Sequence, residues 1–344
     1  MEEARFYEKL KDAKVKCTAC ARYCTIEPGK TGFCRVRKNI GGKLYSLVYN
    51  KALTQTPDPI EKKPIYNFMP GTYCSSISTY GCNFKCLFCQ NFELSQEFIE
   101  EDIQAVEETT PEEIVENTLS RGLDGISYTY VEPTVFIEYA IDIMKIAKKH
   151  GLYNVWVSNG YMSKESIKEL CKYLDAANID LKGDAKFYRI LCGNAEIEVV
   201  KRNIEVLFES GVHVEVTNLV VPGSNDSRES LKDVCSFVSG LSKDVPLHFS
   251  RFFPNYKMLD VKPTPIETLN EAYNIAKSFG LNYVYIGNVG SEQNTICPNC
   301  SAVVIKRAGY NVDIVGLSKE GKCKSCGYNL GIKMSRAPKK PQRI

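Results

Sequence analysis

Strand and helix signals alternate along residues 75–288, and this alternation restricts the fold more than any other feature of the chain. Six or seven short runs rich in β-branched and aromatic residues are separated by amphipathic segments with helical periodicity. Repeated strand–helix units require a parallel sheet with helical crossovers. A closed or partial TIM-like barrel and an open doubly wound sheet both satisfy the pattern.

Two of the helices have clear start signals. Thr110, Pro111 and Glu113 have the spacing of a capping box with proline at the first helical position, and residues 264–267 (Thr-Pro-Ile-Glu) repeat it. The first strand is not followed by a G-x-G-x-x-G motif, which disfavours dinucleotide binding.

Polar residues gather where the predicted strands end. In α/β folds the carboxyl ends of parallel strands form the active face, so these side chains are expected to lie near one another. The residues are Glu132, Ser158, Asn159, Asp180, Asn218 and Arg251.

Cysteine is the unusual component of the composition. The chain has 15 cysteines in 344 residues and four C-x-x-C pairs, where chance would supply about 0.7 such pairs. The amino terminus lacks an apolar signal segment and no apolar run approaches the length of a membrane span. These features predict a cytoplasmic protein without membrane contact, in which reduced cysteines bind metal. A net charge of +3 is weak evidence for a polyanionic partner.

The stretch "YGCNFKCLFCQN" (80–91) places Cys82, Cys86 and Cys89 within eight residues. Three thiolates are too few for a closed structural zinc site, which has four ligands. They suit an iron–sulfur cluster in which one iron has no protein ligand and can bind a small molecule. The alternative is a zinc site completed by a distant residue.

Near the carboxyl terminus, two C-x-x-C pairs flank a β-rich insert and predict a zinc ribbon, with an iron–sulfur cluster as the alternative. Its cysteines are Cys297, Cys300, Cys323 and Cys326.

The cysteine groups divide the chain into four predicted segments. These are a cysteine-rich extension (1–73), a barrel (74–290), a zinc-ribbon-like module (291–331) and a disordered basic tail (332–344).

The motif "CNFKCLFC" resembles the C-x3-C-x-aromatic-C signature of the radical SAM superfamily, with Phe88 as the aromatic residue. The resemblance implies a partial (β/α)6 TIM-like barrel. Cys82, Cys86 and Cys89 would hold a [4Fe–4S] cluster whose open iron binds S-adenosylmethionine (SAM). Reductive cleavage of SAM would give a 5′-deoxyadenosyl radical that abstracts hydrogen from a substrate.

Longer stretches, among them "SYTYVEPTVF" and "PLHFSRFFPNYKM", resemble the AmmeMemoRadiSam group, which is related to the pyruvate formate-lyase and other glycyl-radical activating enzymes. The resemblance covers residues 15–330. It implies Memo-like and AMMECR-like proteins as partners, and an electron donor such as flavodoxin or ferredoxin.

The resemblance also implies residues that contact SAM. Glu132 would bind the amino group of SAM, and Ser158 and Asn159 of "VSNG" would lie near SAM. Asp180 and Lys182 match a "DLK" motif, with an ordinary ion pair as the alternative role for Asp180 and also for Glu132.

Asn218 begins "NLVVPG", which resembles a segment that contacts the adenosine part. Arg251 could clamp a carboxylate or phosphate, or stabilise the barrel. His150 and His213 are expected to be structural or solvated.

The amino-terminal cysteines could bind zinc or a second [4Fe–4S] cluster, as in some radical SAM enzymes. They are Cys17, Cys20, Cys24 and Cys34. Of the remaining cysteines, Cys171 and Cys235 are predicted to lie in the core, and Cys74 and Cys192 have no predicted role.

Three functions remain open. The first is a radical SAM enzyme of the AmmeMemoRadiSam kind that modifies an unidentified protein or RNA. The second is an activase of a glycyl-radical enzyme. The third is a metal-binding scaffold without catalysis.

Overall fold

The computed structural model describes residues 1–334, so all but the first three positions of the predicted basic tail, 332–344, lie outside the described residues. Residues 1–53 form two small antiparallel sheets, in the strand orders β1-β6-β5 and β2-β3-β4. Their apolar side chains are buried in the same core as those of the following segment. The strands are β1 (Glu2–Glu3), β2 (Tyr7–Lys9), β3 (Val15–Cys17), β4 (Thr25–Ile26), β5 (Arg37–Ile40) and β6 (Lys43–Ser46).

Eight strands form the central sheet, and they pair in the order in which they follow one another along the chain. The last seven are parallel, and the first is antiparallel to the second. The strands are β7 (Thr54–Pro59), β8 (Tyr73–Ser78), β9 (Gly125–Tyr128), β10 (Tyr153–Ser158), β11 (Ala176–Asp180), β12 (His213–Val220), β13 (Leu247–Arg251) and β14 (Val284–Gly287).

This strand order decides between the predicted α/β architectures. A doubly wound sheet reverses its strand order at a switch point, and this sheet does not. Within residues 1–334 the edge strands β7 and β14 do not pair with each other, so the barrel is open. Strand β7 belongs to this sheet although its residues lie in the segment predicted as the amino-terminal extension.

Nine α-helices connect or flank the strands in the described part of the chain, and none is long and apolar enough to cross a membrane. Short 3-10 turns cover Ile60–Lys62 and Pro133–Phe136. The helices are α1 (Phe92–Ser95), α2 (Glu100–Ala105), α3 (Pro111–Ser120), α4 (Ile137–Lys149), α5 (Lys164–Leu170), α6 (Ala185–Leu191), α7 (Ile197–Glu209), α8 (Arg228–Leu241) and α9 (Ile266–Ser278).

The two predicted capping boxes have different outcomes. At α3, Glu113 N–H donates to Thr110 Oγ1 (3.2 Å) and Thr110 N–H donates to the Glu113 carboxylate (2.7 Å), as predicted. At α9 the prediction is wrong. The Thr264 hydroxyl is buried and instead donates to the carbonyl oxygen of Val220 (2.7 Å), so Pro265 occupies the cap position.

Arg251 also contacts this connection. Its Nε donates to the Thr264 carbonyl oxygen at 2.8 Å, which supports the structural alternative for Arg251.

The residues that precede and begin the parallel strands converge on one buried carboxylate, Glu215. It accepts hydrogen bonds from the backbone N–H groups of Tyr66 (2.9 Å) and Asn67 (2.7 Å) and from Nε2 of His213 (2.9 Å) and His248 (2.6 Å). Burial opposes ionisation, but the two histidine hydrogen bonds hold the pKa of Glu215 well below its usual range. We call these five residues the floor of the barrel.

The carboxyl-terminal module is a three-stranded sheet that packs against the floor. Arg307 is buried, donates from Nη2 to the Tyr66 carbonyl oxygen (2.6 Å) and lies 3.7 Å from Glu61. The Tyr283 hydroxyl donates to the Leu330 carbonyl oxygen at 2.9 Å. The strands are β15 (Thr295–Ile296), β16 (Val303–Ala308) and β17 (Asn311–Ile314), a hairpin at the predicted β-rich insert preceded by one short strand.

Replacing Glu215 by alanine should strongly destabilise the fold. The change leaves four buried donors without an acceptor, each of which costs about 1–3 kcal/mol. We expect the free energy of unfolding to fall by at least about 3 kcal/mol, measured by chemical denaturation at pH 7. Glu209→Ala, an exposed position at the end of α7, is the control. Equal stability of both variants would contradict the described network.

Candidate active site

The carboxyl ends of strands β8–β14 lie at one end of the sheet because these strands are parallel. The loop that carries Cys82, Cys86 and Cys89 follows β8 and opens at this end. A cavity of about 250 Å³ lies beside it, and residues at the ends of several strands line it. Its wall includes Cys86, Phe88, Cys89, Asp180, Lys182 and Thr217. Of the six strand-end residues named from the sequence, Asp180 lies in this wall, whereas Glu132, Ser158, Asn159, Asn218 and Arg251 do not.

The cysteine loop has a constrained backbone. Gly81 has φ +98°, and a Cβ atom there would lie 2.7 Å from Val36 Cγ1 and 3.0 Å from the Cys34 carbonyl oxygen. Only glycine fits this position without displacing the amino-terminal extension. On the other side of the loop, Gln96 Nε2 donates to the Cys86 carbonyl oxygen at 2.9 Å.

Polar groups surround the loop sulfurs. Phe84 N–H donates to Cys82 Sγ (3.3 Å), Asn159 Nδ2 lies 3.9 Å from the same atom, and Cys89 Sγ lies 3.2 Å from Ser95 Oγ. Burial raises the pKa of the Cys82 thiol well above its usual value. Such a thiol loses its proton when a metal ion binds to the sulfur. Hydrogen bonds to the sulfurs also help to set the reduction potential of an iron–sulfur cluster. The donor set therefore fits an iron–sulfur group.

Cys86 is in contact with a fourth thiol. The Cys86 thiol donates to the sulfur of the buried Cys192, and this bond together with burial raises the pKa of Cys86. Lys182 Nζ lies 2.7 Å from Asp180 Oδ2. Burial would lower the pKa of Lys182, but the Asp180 carboxylate and the neighbouring sulfurs raise it above its usual range, so the ammonium stays charged.

Glu132 is buried at the end of β9, and its carboxylate is occupied by protein donors. Oε1 accepts from Thr134 N–H (3.1 Å), the Thr134 hydroxyl (2.5 Å) and the Ser158 hydroxyl (2.8 Å), and Oε2 accepts from Asn159 N–H (2.8 Å). Burial raises the pKa of Glu132 despite these bonds. The carboxylate thus fixes the end of β10, from which the Asn159 side chain reaches Cys82.

Asn218 is buried and offers an unused acceptor. Its Nδ2 donates to the Leu181 carbonyl oxygen at 2.7 Å, but within residues 1–334 its Oδ1 has no hydrogen-bond partner. Phe88 lies against Phe187, with ring centroids 5.7 Å apart, and forms part of the cavity wall. Ser158 contacts Glu132 rather than the cavity.

Sequence reasoning missed Cys192 because it missed the helix that positions it. Asp184 Oδ1 accepts from Phe187 N–H (2.7 Å) and caps α6, and Cys192 immediately follows this helix. The Asp-x-x-Phe start at Asp184 was the available signal. Ser95 was also missed, since α1 has only four residues and no periodicity.

The four carboxyl-terminal cysteines form a compact group. Their sulfurs all lie within 4.8 Å of one another, with Cys297–Cys326 and Cys300–Cys323 both at 3.7 Å. A tetrahedral ion with metal–sulfur bonds of about 2.3 Å requires sulfur separations of about 3.8 Å. This group can therefore hold one metal ion.

The two C-x-x-C turns of this group have the same backbone geometry. Ser301 N–H donates to the Cys297 carbonyl oxygen and Gly327 N–H to that of Cys323, at 2.9 and 2.8 Å. The two donor residues, Ser301 and Gly327, both have a positive φ, of 60° and 76° respectively.

The amino-terminal cysteines lie apart from this group. Cys17, Cys20, Cys24 and Cys34 line an enclosed cavity between the amino-terminal extension and the barrel.

Comparisons with known proteins show what this chain is similar to. A profile described as the radical SAM superfamily matches residues 76–238. The uncharacterized protein MJ0808 of Methanocaldococcus jannaschii is 49% identical over 336 residues, which cover 96% of this chain and 99% of that protein. The pyruvate formate-lyase-activating enzyme of Clostridium pasteurianum is 23% identical over 172 residues, 47% of this chain and 67% of that enzyme. The crystal structure of Streptococcus suis SuiB has a TM-score of 0.48 at 14% identity, covering 67% of this chain and 52% of that one.

Glu132→Gln should destabilise the chain far more than Glu209→Ala, a change at an exposed position. A glutamine amide directs its N–H₂ group at one set of the donors that now bind the Glu132 carboxylate. We expect losses of about 2–3 and less than about 0.5 kcal/mol in the free energy of unfolding, measured by urea denaturation. A glutamine variant as stable as the parent would mean that the carboxylate is not held by these donors.

Proposed function

Because the chain belongs to the radical SAM superfamily and is an enzyme of that superfamily, we propose that Cys82, Cys86 and Cys89 hold a [4Fe–4S] cluster. The enzyme would cleave SAM reductively there and modify a macromolecular substrate, a protein or an RNA. The observation that carries the proposal is the set of three loop thiols beside a cavity at the carboxyl ends of the parallel strands.

The cluster and SAM, when bound, would supply one-electron cleavage of a carbon–sulfur bond and hydrogen abstraction from the substrate. The residues of the chain would bind and orient the reactants. The family resemblance implies a contact between Asn218 and the adenosine part of SAM, but the cavity wall includes its neighbours Thr217 and Leu219 and not Asn218 itself. Phe88 would exclude water from the cluster side of the cavity.

Asp180 and Lys182 would provide a fixed pair of charges in the cavity wall. The ammonium lies near the Cys86 sulfur and would offset part of the negative charge of bound thiolates. The Asp180 carboxylate is one-third exposed at its side chain, so it can still accept a hydrogen bond from a ligand.

Glu132 would act differently from the role that the family resemblance implies. Its carboxylate already accepts four hydrogen bonds. We therefore propose that Glu132 positions Asn159 beside Cys82 and that any contact with the SAM amino group adds to this role.

Within the superfamily, we propose membership of the AmmeMemoRadiSam group, supported by the long motifs quoted above. Memo-like and AMMECR-like proteins would then be partners, with a flavodoxin or ferredoxin as electron donor. Activation of a glycyl-radical enzyme is the second candidate. It is favoured by the similarity to a pyruvate formate-lyase-activating enzyme.

SAM cleavage by the reconstituted chain tests the proposal. Anaerobic protein supplied with iron and sulfide, then reduced with dithionite, should release 5′-deoxyadenosine from SAM. Cys86→Ala should lower this rate by more than about 100-fold, beyond the usual loss for residues that only support a metal ligand. Cys171→Ala, a half-buried cysteine outside the site, should retain it.

Two results would count against the proposal. One is absence of SAM cleavage by wild-type protein that holds a full cluster. The other is unchanged cleavage by Cys86→Ala. Formation of a glycyl radical in an added candidate enzyme, detected by EPR, would favour the second candidate.

We also propose that Cys297, Cys300, Cys323 and Cys326 bind zinc and thereby stabilise the module against the barrel floor. Purified protein should contain about one zinc ion at this site. Cys300→Ala should lose that zinc and lower the melting temperature, because the free energy of metal binding contributes to folding. Metal analysis and calorimetry measure both effects, with Cys171→Ala as control. Retention of zinc by Cys300→Ala would contradict this assignment.

A further inference from the structure

The four amino-terminal cysteines converge on one enclosed cavity although 17 positions separate the first from the last. Cys17 lies at the end of β3, and its N–H donates to the Cys24 carbonyl oxygen at 2.9 Å. All four are free thiols, and the rest of the cavity wall includes Asn83. The cavity lies between the amino-terminal extension and the loop of the candidate active site, and neither the comparisons nor the proposed function accounts for it.

A buried donor in this wall lacks an acceptor. Asn83 is fully buried; its Oδ1 accepts from Asn159 Nδ2 (2.7 Å) and its carbonyl oxygen from Arg22 Nε (2.9 Å). In the described part of the chain its Nδ2 has no hydrogen-bond partner. An unpaired buried N–H group costs about 1–3 kcal/mol, so the site is built for a ligand that supplies an acceptor atom.

A cation is held beside the same cavity. The Lys85 amino group is buried, has no hydrogen-bond partner among residues 1–334, and lies 5.5 Å from the ring centroid of Phe33 in the cavity wall. Arg37 also lines the cavity, but its buried ion pair with Glu138 neutralises it. Lys85 therefore supplies the positive charge that suits an anionic ligand.

The sulfur spacing indicates what that ligand is. Within residues 1–334, only the carboxyl-terminal cysteines have three or more ligand atoms all within 4.8 Å, the compact spacing of a single tetrahedral ion. The amino-terminal cysteines are more widely spaced, as are the three loop cysteines. A cube of four irons binds each thiolate at a different iron and so requires wider spacing, and its sulfides are acceptors for a buried N–H group.

We infer that Cys17, Cys20, Cys24 and Cys34 hold a second iron–sulfur cluster, with Asn83 hydrogen-bonded to its sulfur. Asn83 is the chain neighbour of Cys82 and lies in the wall of this cavity, so the two sites are adjacent. The inference concerns the metal content of the extension and does not depend on SAM cleavage at the loop.

Iron, acid-labile sulfide and zinc should be counted in the full chain after anaerobic reconstitution and removal of unbound metal. Two [4Fe–4S] clusters correspond to about eight sulfides per chain. Cys20→Ala/Cys24→Ala and, separately, Cys82→Ala/Cys86→Ala should each lower this number about twofold. Cys300→Ala/Cys326→Ala should leave the number of sulfides unchanged. Mössbauer spectra should show the same changes in the amount of cluster iron among the wild type and the three variants.

The outcomes separate the two proposals. Full sulfide content in Cys20→Ala/Cys24→Ala, or about four sulfides with zinc at the extension in the wild type, would overturn the second cluster. Full content in Cys82→Ala/Cys86→Ala would instead overturn the loop cluster. If Cys20→Ala/Cys24→Ala fails to fold, the wild-type sulfide count is read together with Cys300→Ala/Cys326→Ala. About eight sulfides in both proteins would support the second cluster at the extension, and a loss of sulfide in Cys300→Ala/Cys326→Ala would overturn it.

Discussion

A buried carboxylate that accepts hydrogen bonds from several protein donors is the interaction on which both ends of the sheet depend. Glu215 holds the chain before β8 against two strand histidines at the floor, and Glu132 holds the ends of β9 and β10 beside the cysteine loop. An open sheet lacks the closure that fixes strand ends in a complete barrel. Here the hydrogen bonds to the two buried carboxylates hold the strand ends in place. Loss of any one partner leaves a buried polar group unpaired, which is costly.

The parts of the fold that were predictable from sequence are those fixed by local chemistry. The alternation of strands and helices predicted the parallel sheet, and Thr110 with Glu113 predicted the start of α3. The cap at Thr264 was mispredicted because its hydroxyl bonds to strands that are distant in sequence. The open edge and the pairing of β7 with β8 also result from tertiary packing, which local patterns do not encode.

In the candidate site, too, local sequence patterns predicted some features, and tertiary packing determined the others. The spacing of Cys82, Cys86 and Cys89 identified the loop, strand-end polarity identified Asp180, and the family resemblance pointed to Lys182. What the sequence could not provide is which partner each group takes. Glu132 is occupied by neighbours on the next strand, and the thiol beside Cys86 comes from the end of a helix about 100 residues further along the chain.

Arg307 reaches the barrel floor from a position 241 residues after Tyr66, whose carbonyl oxygen it binds. A chain is synthesised from its amino terminus, so Arg307 can bind the floor only after all five floor residues have emerged from the ribosome. Contacts of such long sequence separation also slow folding, because the loop they close is entropically costly. Docking of the carboxyl-terminal module therefore comes late in folding, after the sheet that it covers has been synthesised.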